Sequence, residues 1–412
     1  MIDAEEALGI VLQKTKRLAS RPVRVLDSCG LILAEKVKAD TDNPPFNSSA
    51  MDGFAIVASD TAKVPVLLEV IEEIPAGKWP GKKISPGQAA KIMTGAPVPP
   101  GADTVIMVED TEPVAGGRVR ILRKIASGQN IRYQGENIKK GEVLLQPQTL
   151  LGPAEVGLLA SAGKAQVKVT PRAEVAILAT GDEVVEPDRK PRPWQIRNSN
   201  SYTLSAQVRG CGANHQYLGI VPDDKQKIRK AIRRGLKSDC LIITGGVSVG
   251  EYDLVGDILQ KIGVRIHFHT VNIKPGKPTV FGTFRGKVVF GLPGNPVSSL
   301  VTFELFVRPA LAKMMGKDEM AHMHWGWAYL AQRFALKRKR RQFIPATASL
   351  RKGRLWVRPV KYRGSADLVA LRDAEYFIEI PPEAPALSKG ERVRIFRLPG
   401  RPSTSALEAQ GR

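Results

Sequence analysis

Five short stretches set glycine, carboxylate or lysine side by side, each at the end of a presumptive strand or in a loop between strands. They are Thr180-Gly181-Asp182-Glu183, Pro222-Asp223-Asp224, the run TGGVSVGEYD from Thr244 to Asp253, Lys274-Pro275-Gly276-Lys277-Pro278 and Leu292-Pro293-Gly294-Asn295-Pro296. Glycines such as Gly181, Gly245 and Gly246 let backbone amides approach an anion that a side chain would hold off. The run from Thr244 follows a strand and precedes a helix. Its amides through Ser248 and Gly250, together with the helix N-terminus, can therefore face a phosphate. The alternative is a tight strand-to-helix turn without a ligand. The spacing is neither GxGxxG nor GxxxxGK[ST], so it supports neither a dinucleotide site nor a P-loop.

Glu183, Asp224 and Asp253 would repel a phosphate unless a cation stood between them. Oxygen donors of this kind suit Mg²⁺, which keeps several waters and bridges to substrate phosphates. The alternative for Asp223 and Asp253 is helix N-capping. Lys274 and Lys277 add positive charge, and the prolines and glycine around them fix their loop. Two more loops hold a single polar candidate each: Asp52 in SSAMDGFA and Thr94 in MTGAPVP. Taken alone, each is a turn before it is a site. HExxH, CxxC and GxSxG are all missing, and His267 and His269 share a strand face without a third ligand.

These residues need elements to hold them. From residue 173 to about 320, apolar strands alternate with helices, the pattern of a doubly wound, mostly parallel sheet. Strands are expected at Glu174–Ala179, Gln216–Val221, Leu241–Thr244, Arg265–Phe268 and Lys287–Leu292. Helices are expected at Asn198–Val208, Asp223–Leu236 and Asp253–Ile262, with one long helix over Val297–Met314. Ligands of such sheets bind beyond the carboxyl ends of the strands, where the five stretches fall. The first twenty residues read as a helix with Asp3 as cap, and Pro153 and Gly163 bracket another. Residues 46–136, rich in Pro and Gly with short β-branched runs, read as a small β module inserted into an elongated mixed domain of 1–45 plus 137–172. Residues 173–322 form the α/β domain. Residues 323–412 read as a barrel-like β domain ending in a frayed tail.

Composition agrees with a soluble globular chain. The 412 residues are 43% hydrophobic and 25% charged, enough for about two to four domains. Three widely spaced cysteines exclude a zinc ribbon or a disulfide framework and suit a reducing compartment. Without a signal peptide or an apolar span, a cytoplasmic location is expected. The net charge of +22 raises the odds of an anionic partner. Residues 323–412 carry 19 Lys and Arg against 7 Asp and Glu, densest over Lys337–Arg341. That run reads as a solvated basic loop, or as a charge that steers anionic substrate. Nucleic acid is not expected as a partner, because RNP, helix-turn-helix and zinc-finger signatures are missing.

Taken together, the motifs resemble the MoeA family, the molybdopterin molybdenumtransferases, which include the E domain of gephyrin. The matching stretches are NPPFNSSAMDGFAI, IMTGAPVPPGADTVIMVED, GENIKKGE, LATGDEV, IRNSNS, VPDD, ITGGVSVGEYD, KPGKP and FGLPGNPVSSLVTFELFVRPAL, in family order from residue 43 to 311. The resemblance implies a cytoplasmic enzyme of molybdenum cofactor biosynthesis. It would insert molybdate into adenylylated molybdopterin with the help of Mg²⁺ and release AMP. It further implies an elongated homodimer whose cleft lies between the α/β domain of one subunit and the small β domain of its partner. A molybdopterin adenylyltransferase is a candidate partner.

Carried over by motif, Asp52, Thr94, Glu183, Asp224, Asp253, Lys274 and Lys277 form the catalytic set. Glu183, Asp224 and Asp253 hold the cation, and Pro293, Gly294 and Pro296 shape the loop near the metal. Arg341 is placed at the cleft, from a segment that keeps the family's GRxEFxR-like element only as RRQFIP. Asn137 stands where the family often has Asp, and Gly364-Ser365 leads into apolar residues where serines are common. A scaffold role, as in the gephyrin E domain, is the alternative. Acidic residues kept in the crevice favour the enzyme.

Overall fold

The computed structural model describes residues 1–246, 254–318, 325–334, 340–382, 386–398 and 400. The chain divides into two compact units. One comprises Arg24–Cys29 and Glu35–Val167, the other Met1–Val23, Gly30–Ala34 and Lys168–Arg412. No helix among the described residues is long and apolar enough to cross a membrane.

The smaller unit is built on a curled six-stranded sheet, in the order Thr104–Met107, Gly53–Ile56, Gln88–Ile92, Val66–Ile74, Arg118–Ile121 and Thr111–Val114. Alternation along the strands sends Phe54 and Ile56 to one small core and Ala55 to another. Gly53 opens its strand because a Cβ there would collide with the Ile106 carbonyl across the pair. The expected helix is present as Pro153–Ser161, with Pro at its start and Glu155 accepting from the Gly152 amide at 2.9 Å. Gly163 follows at φ +71°.

The centre of the larger unit is the expected doubly wound sheet. Its strand order is Asn214–Val221, Glu174–Thr180, Cys240–Thr244, Lys287–Leu292, Pro278–Phe284 and Arg265–Thr270. The first four run parallel, and the last two add antiparallel. Val175 and Ile177 face one core, with the helices Asn200–Gly210 and Pro296–Thr302. Ala176 and Leu178 face the other, with Lys225–Gly235 and Leu254–Ile262. The strand Pro278–Phe284 was not anticipated, since the prolines and glycine before it mask its start.

The long helix expected over Val297–Met314 is broken. It passes from Pro296–Thr302 through a π-turn at Phe303–Val307 into Arg308–Met314. Pro309 cannot donate to the carbonyl four residues back, and the wider turn absorbs that loss. Glu304 and Arg308, an ion pair buried inside this turn, are joined by Gln207, whose Nε2 donates to Glu304 at 2.6 Å.

The C-terminal strands close into a five-stranded barrel. The order is Arg341–Arg351, Arg354–Pro359, Trp325–Leu330, Arg392–Arg397 and Tyr376–Ile380, which pairs back to the first. Its interior holds Leu330, Ile344, Val357, Ile378 and Ile395. Ile273 and Lys274 add a short parallel strand against Arg341 and Gln342. This pairing fixes the KPGKP loop to the barrel.

Candidate active site

The carboxyl ends of the parallel strands lie on one edge of the sheet. The strand order reverses between Glu174–Thr180 and Cys240–Thr244, so a crevice is expected there. It is found. A cleft of about 560 Å³ is lined by Glu183, Gly245, Gly246, Lys274, Gly276, Lys277, Pro293, Gly294 and Asn295. A second pocket of about 320 Å³ shares Glu183, Gly245, Gly294 and Asn295, and adds Thr180, Asn198, Asn200, Thr244 and Pro296. Four of the five sequence stretches thus contribute to one site.

Close backbone approach explains the glycine after the third strand. Gly245 sits at φ +86°, and a Cβ there would strike the Thr180 carbonyl. Gly276 makes the KPGKP bend at φ +112°, where a Cβ would meet Thr302 Cγ2 and Ile273. Across the crevice, Asn200 ties two loops together. Its Nδ2 donates to Thr244 Oγ1 at 2.9 Å and to the Gly294 carbonyl at 2.8 Å. Asn295 Nδ2 in turn reaches Ser365 Oγ at 2.9 Å, and the Val297 amide donates to the Ser365 carbonyl at 3.0 Å.

The barrel supplies the outer wall through Arg340, Tyr362, Gly364 and Ser365. Among the described charged groups lining the larger cleft, Lys274, Lys277 and Arg340 stand with one carboxylate, Glu183. The balance suits a polyanion. Two polar atoms here have no partner among the described residues: Thr180 Oγ1 and Tyr362 Oη, both buried. Buried polar atoms are almost always paired, so unpaired ones in a pocket wall are open to a water or a bound group. Burial, and then the charge of Asp367, push the Tyr362 phenol up to about 12. It therefore stays protonated and able to donate.

Several expected residues lie elsewhere. Asp224 caps the helix Lys225–Gly235, accepting from the Lys227 amide at 2.8 Å, and does not line the cleft. The capping role weighed for its neighbour Asp223 thus falls on Asp224, while the Asp223 amide donates to Asp182 at 3.2 Å. Gly181 occupies φ +132° beside Glu183 without lining the cleft. Ser248, Gly250 and Asp253 lie outside the described residues, as do Lys337–Lys339. Among the described residues no three His, Cys, Asp or Glu side chains converge as a metal site.

Arg341 is not in the cleft. It forms an ion pair with Glu379 and also reaches Glu5 at 3.2 Å. Its neighbour Arg340 lines the cleft instead, because the strand begins at Arg341 and turns alternate side chains to opposite faces. In the smaller unit, Asp52 and Thr94 are joined: the Thr94 amide and hydroxyl donate to Asp52 Oδ1 at 2.7 and 2.8 Å. Sequence reasoning missed Arg340, Asn200 and Tyr362. Asn200 lay in the IRNSNS motif without a chemical signature, and Tyr362 had no signal at all.

The fold and this crevice define a family. Residues 2–163 match the MoeA N-terminal region (domain I and II), residues 176–313 a probable molybdopterin binding domain, and residues 328–398 the MoeA C-terminal region (domain IV). The chain is 36% identical to a molybdopterin molybdenumtransferase of Bacillus subtilis, covering 96% of this chain and 94% of that protein. It is 43% identical to one from Nostoc sp., over 70% of this chain and 67% of that protein. The crystal structure of a molybdopterin biosynthesis MoeA protein from Pyrococcus horikoshii superposes with a TM-score of 0.82 at 32% identity, covering 97% of this chain and all of that one. The chain belongs to the MoeA family of molybdopterin molybdenumtransferases, enzymes of molybdenum cofactor biosynthesis.

Proposed function

We propose that the crevice takes adenylylated molybdopterin and molybdate, and that the protein inserts the metal with release of AMP. The observation that carries this reading is the meeting of Lys274, Lys277 and Arg340 with the glycine-bearing strand ends in one cleft. The phosphoanhydride to be cleaved is polyanionic and molybdate is a dianion. Such a reaction asks for charge neutralisation and positioning more than for a covalent nucleophile. In this reading Lys274, Lys277 and Arg340 neutralise the anions, the amides about Gly245 and Gly246 cradle them, and Tyr362 donates from the barrel wall. Asn200 holds the two loops in register, and Pro293 and Pro296 shape the one near the metal.

Magnesium is part of the proposal. Glu183, a carboxylate among cations at the strand ends, fits an ion that takes one or two carboxylates and otherwise substrate phosphates and water. Asp224, already used as a helix cap, fits it less well. When bound, the ion would offset charge on the phosphates. On the resemblance, Asp52, Thr94 and Asp253 belong to the catalytic set of a cytoplasmic homodimer, and an adenylyltransferase is a partner that could hand over the substrate. The four-part division at residues 46, 137, 173 and 323 rests on the same ground. A scaffold without catalysis is not favoured, since a scaffold would not require cations gathered at the strand ends.

The test is direct. Purified protein is mixed with adenylylated molybdopterin, Mg²⁺ and molybdate, and AMP is measured. Molybdate-dependent AMP release is expected. AMP that does not depend on molybdate, or none at all, overturns the proposal.

A further inference from the structure

We propose that the outer face of the C-terminal barrel binds single-stranded nucleic acid. Four neighbouring strands of the barrel, Trp325–Leu330, Arg341–Arg351, Arg354–Pro359 and Arg392–Arg397, contain no Asp, Glu or Lys. They do contain arginine: two in each of the second and third and three in the last. Three of the chain's five tryptophans, Trp325, Trp327 and Trp356, also lie on them.

Strand alternation sorts these residues. Ala328, Leu330, Val357, Val393 and Ile395 fill the barrel, so Trp327, Tyr329, Trp356, Arg354, Arg358 and Arg392 turn outward. Trp327 is 55% exposed. The Arg392 guanidinium lies 4.7 Å from the centre of its ring, and the Arg354 guanidinium 5.3 Å from that of Tyr329. Tyr329 and Trp356, paired across parallel strands, have ring centres 5.5 Å apart.

Choice of residue points to the ligand. A phosphate-rich polymer alone needs only positive charge, which lysine supplies as well. Arginine stacked on an aromatic ring keeps its in-plane N–H groups for phosphate and offers its other face to a base. Aromatic side chains stack unpaired bases of any sequence, and small five-stranded barrels offer the faces of adjacent strands for that purpose. A duplex keeps its bases inside its stack and would gain nothing from these rings. No sequence motif announces the platform, because it is assembled from separate strands. It shares no residue with the larger cleft.

The experiment uses the full chain and a labelled 15-nucleotide oligo(U), followed by fluorescence anisotropy at two salt concentrations. A duplex of equal length and inorganic polyphosphate serve as competitors. Oligo(U) should bind, quench tryptophan fluorescence and resist both competitors. Trp327→Ala should weaken binding about 5- to 100-fold, the stacking of one base, and Trp327→Phe should restore most of it. Arg392→Gln should lower the slope of log affinity against log salt by about 0.7. AMP release should be unchanged in all three, which also confirms that they fold. No binding, equal competition by duplex or polyphosphate, or an inert Trp327→Ala in a folded protein would each overturn the proposal.

Discussion

The amide and the hydroxyl of Thr94 converge on a single oxygen of Asp52, at 2.7 and 2.8 Å. The amide bond first, and the hydroxyl bond second, hold the Asp52 carboxyl below its ordinary value of 3.8. Both bonds favour the charged form, so their contribution to stability is complete above the unfolded pKa and is lost as pH falls through the folded one. Thr94→Val removes the hydroxyl and keeps the amide. The Asp52 titration, followed by carboxyl ¹³C NMR, should move up toward the ordinary value, and the acid limb of the unfolding curve should move up with it. An unchanged titration in the folded variant would show that the hydroxyl bond does not exist in solution.

Asn200 is 9% exposed and donates twice from one nitrogen. Asn200→Asp has nearly the same shape but no donor, and sets a charge against the Gly294 carbonyl. It should cost about 1–3 kcal/mol of stability, as expected where a buried acceptor is left unpaired. With the loops at Gly245 and Gly294 released from each other, kcat/KM for AMP release should fall at least about tenfold. Chemical denaturation and steady-state kinetics check the two effects separately. Wild-type turnover in the variant would remove Asn200 from the site's support.

Tyr362 gives a prediction of opposite signs. Its buried hydroxyl has no partner among the described residues, so Tyr362→Phe should leave stability unchanged or slightly raised. If the hydroxyl donates to substrate, the same change should weaken substrate binding about fivefold, the worth of one neutral hydrogen bond near 1 kcal/mol. Thermal unfolding with and without substrate separates the two. A clear loss of stability in the free protein would mean that the hydroxyl is satisfied there and is not waiting for a ligand.

How far the sequence reaches depends on the kind of signal. Alternation and period made the α/β sheet legible, and the glycines at Gly245 and Gly276 marked bends that no side chain can make. The Gly and Pro stretches also marked the strand ends that meet in the crevice. What the sequence hid was orientation. Asp224 reads as a ligand because it is acidic and follows a strand, while the structure shows one of its oxygens capping the next helix. The break before Arg308 was written in Pro309, yet a 3.6-residue apolar period runs straight across it. Asn200 is bonded to partners distant in the chain, Tyr362 reaches the cleft from a separate domain, and nothing local distinguishes either from an ordinary polar residue.

Register also separates two adjacent arginines, and this can be tested. Arg341 is held by Glu379, which is almost fully buried, while Arg340 lines the cleft. Arg341→Gln leaves a buried carboxylate without its main cation and should cost about 3–5 kcal/mol of stability. Arg394, 3.3 Å from the other oxygen of Glu379, should hold the loss toward the lower end. The part of Arg341→Gln that remains folded should turn over at a normal rate. Arg340→Gln should unfold like the wild type, because its backbone contact, 3.4 Å from Nη1 to the Ile273 carbonyl, is long and only partly buried. Its KM for the anionic substrate should rise about tenfold, the loss of one charge-assisted hydrogen bond. The measurement is a pair of denaturation curves and a pair of Michaelis curves, normalised to the folded fraction. If Arg341→Gln raises KM and Arg340→Gln does not, the strand is one residue out of register and the sequence-based choice of Arg341 was right.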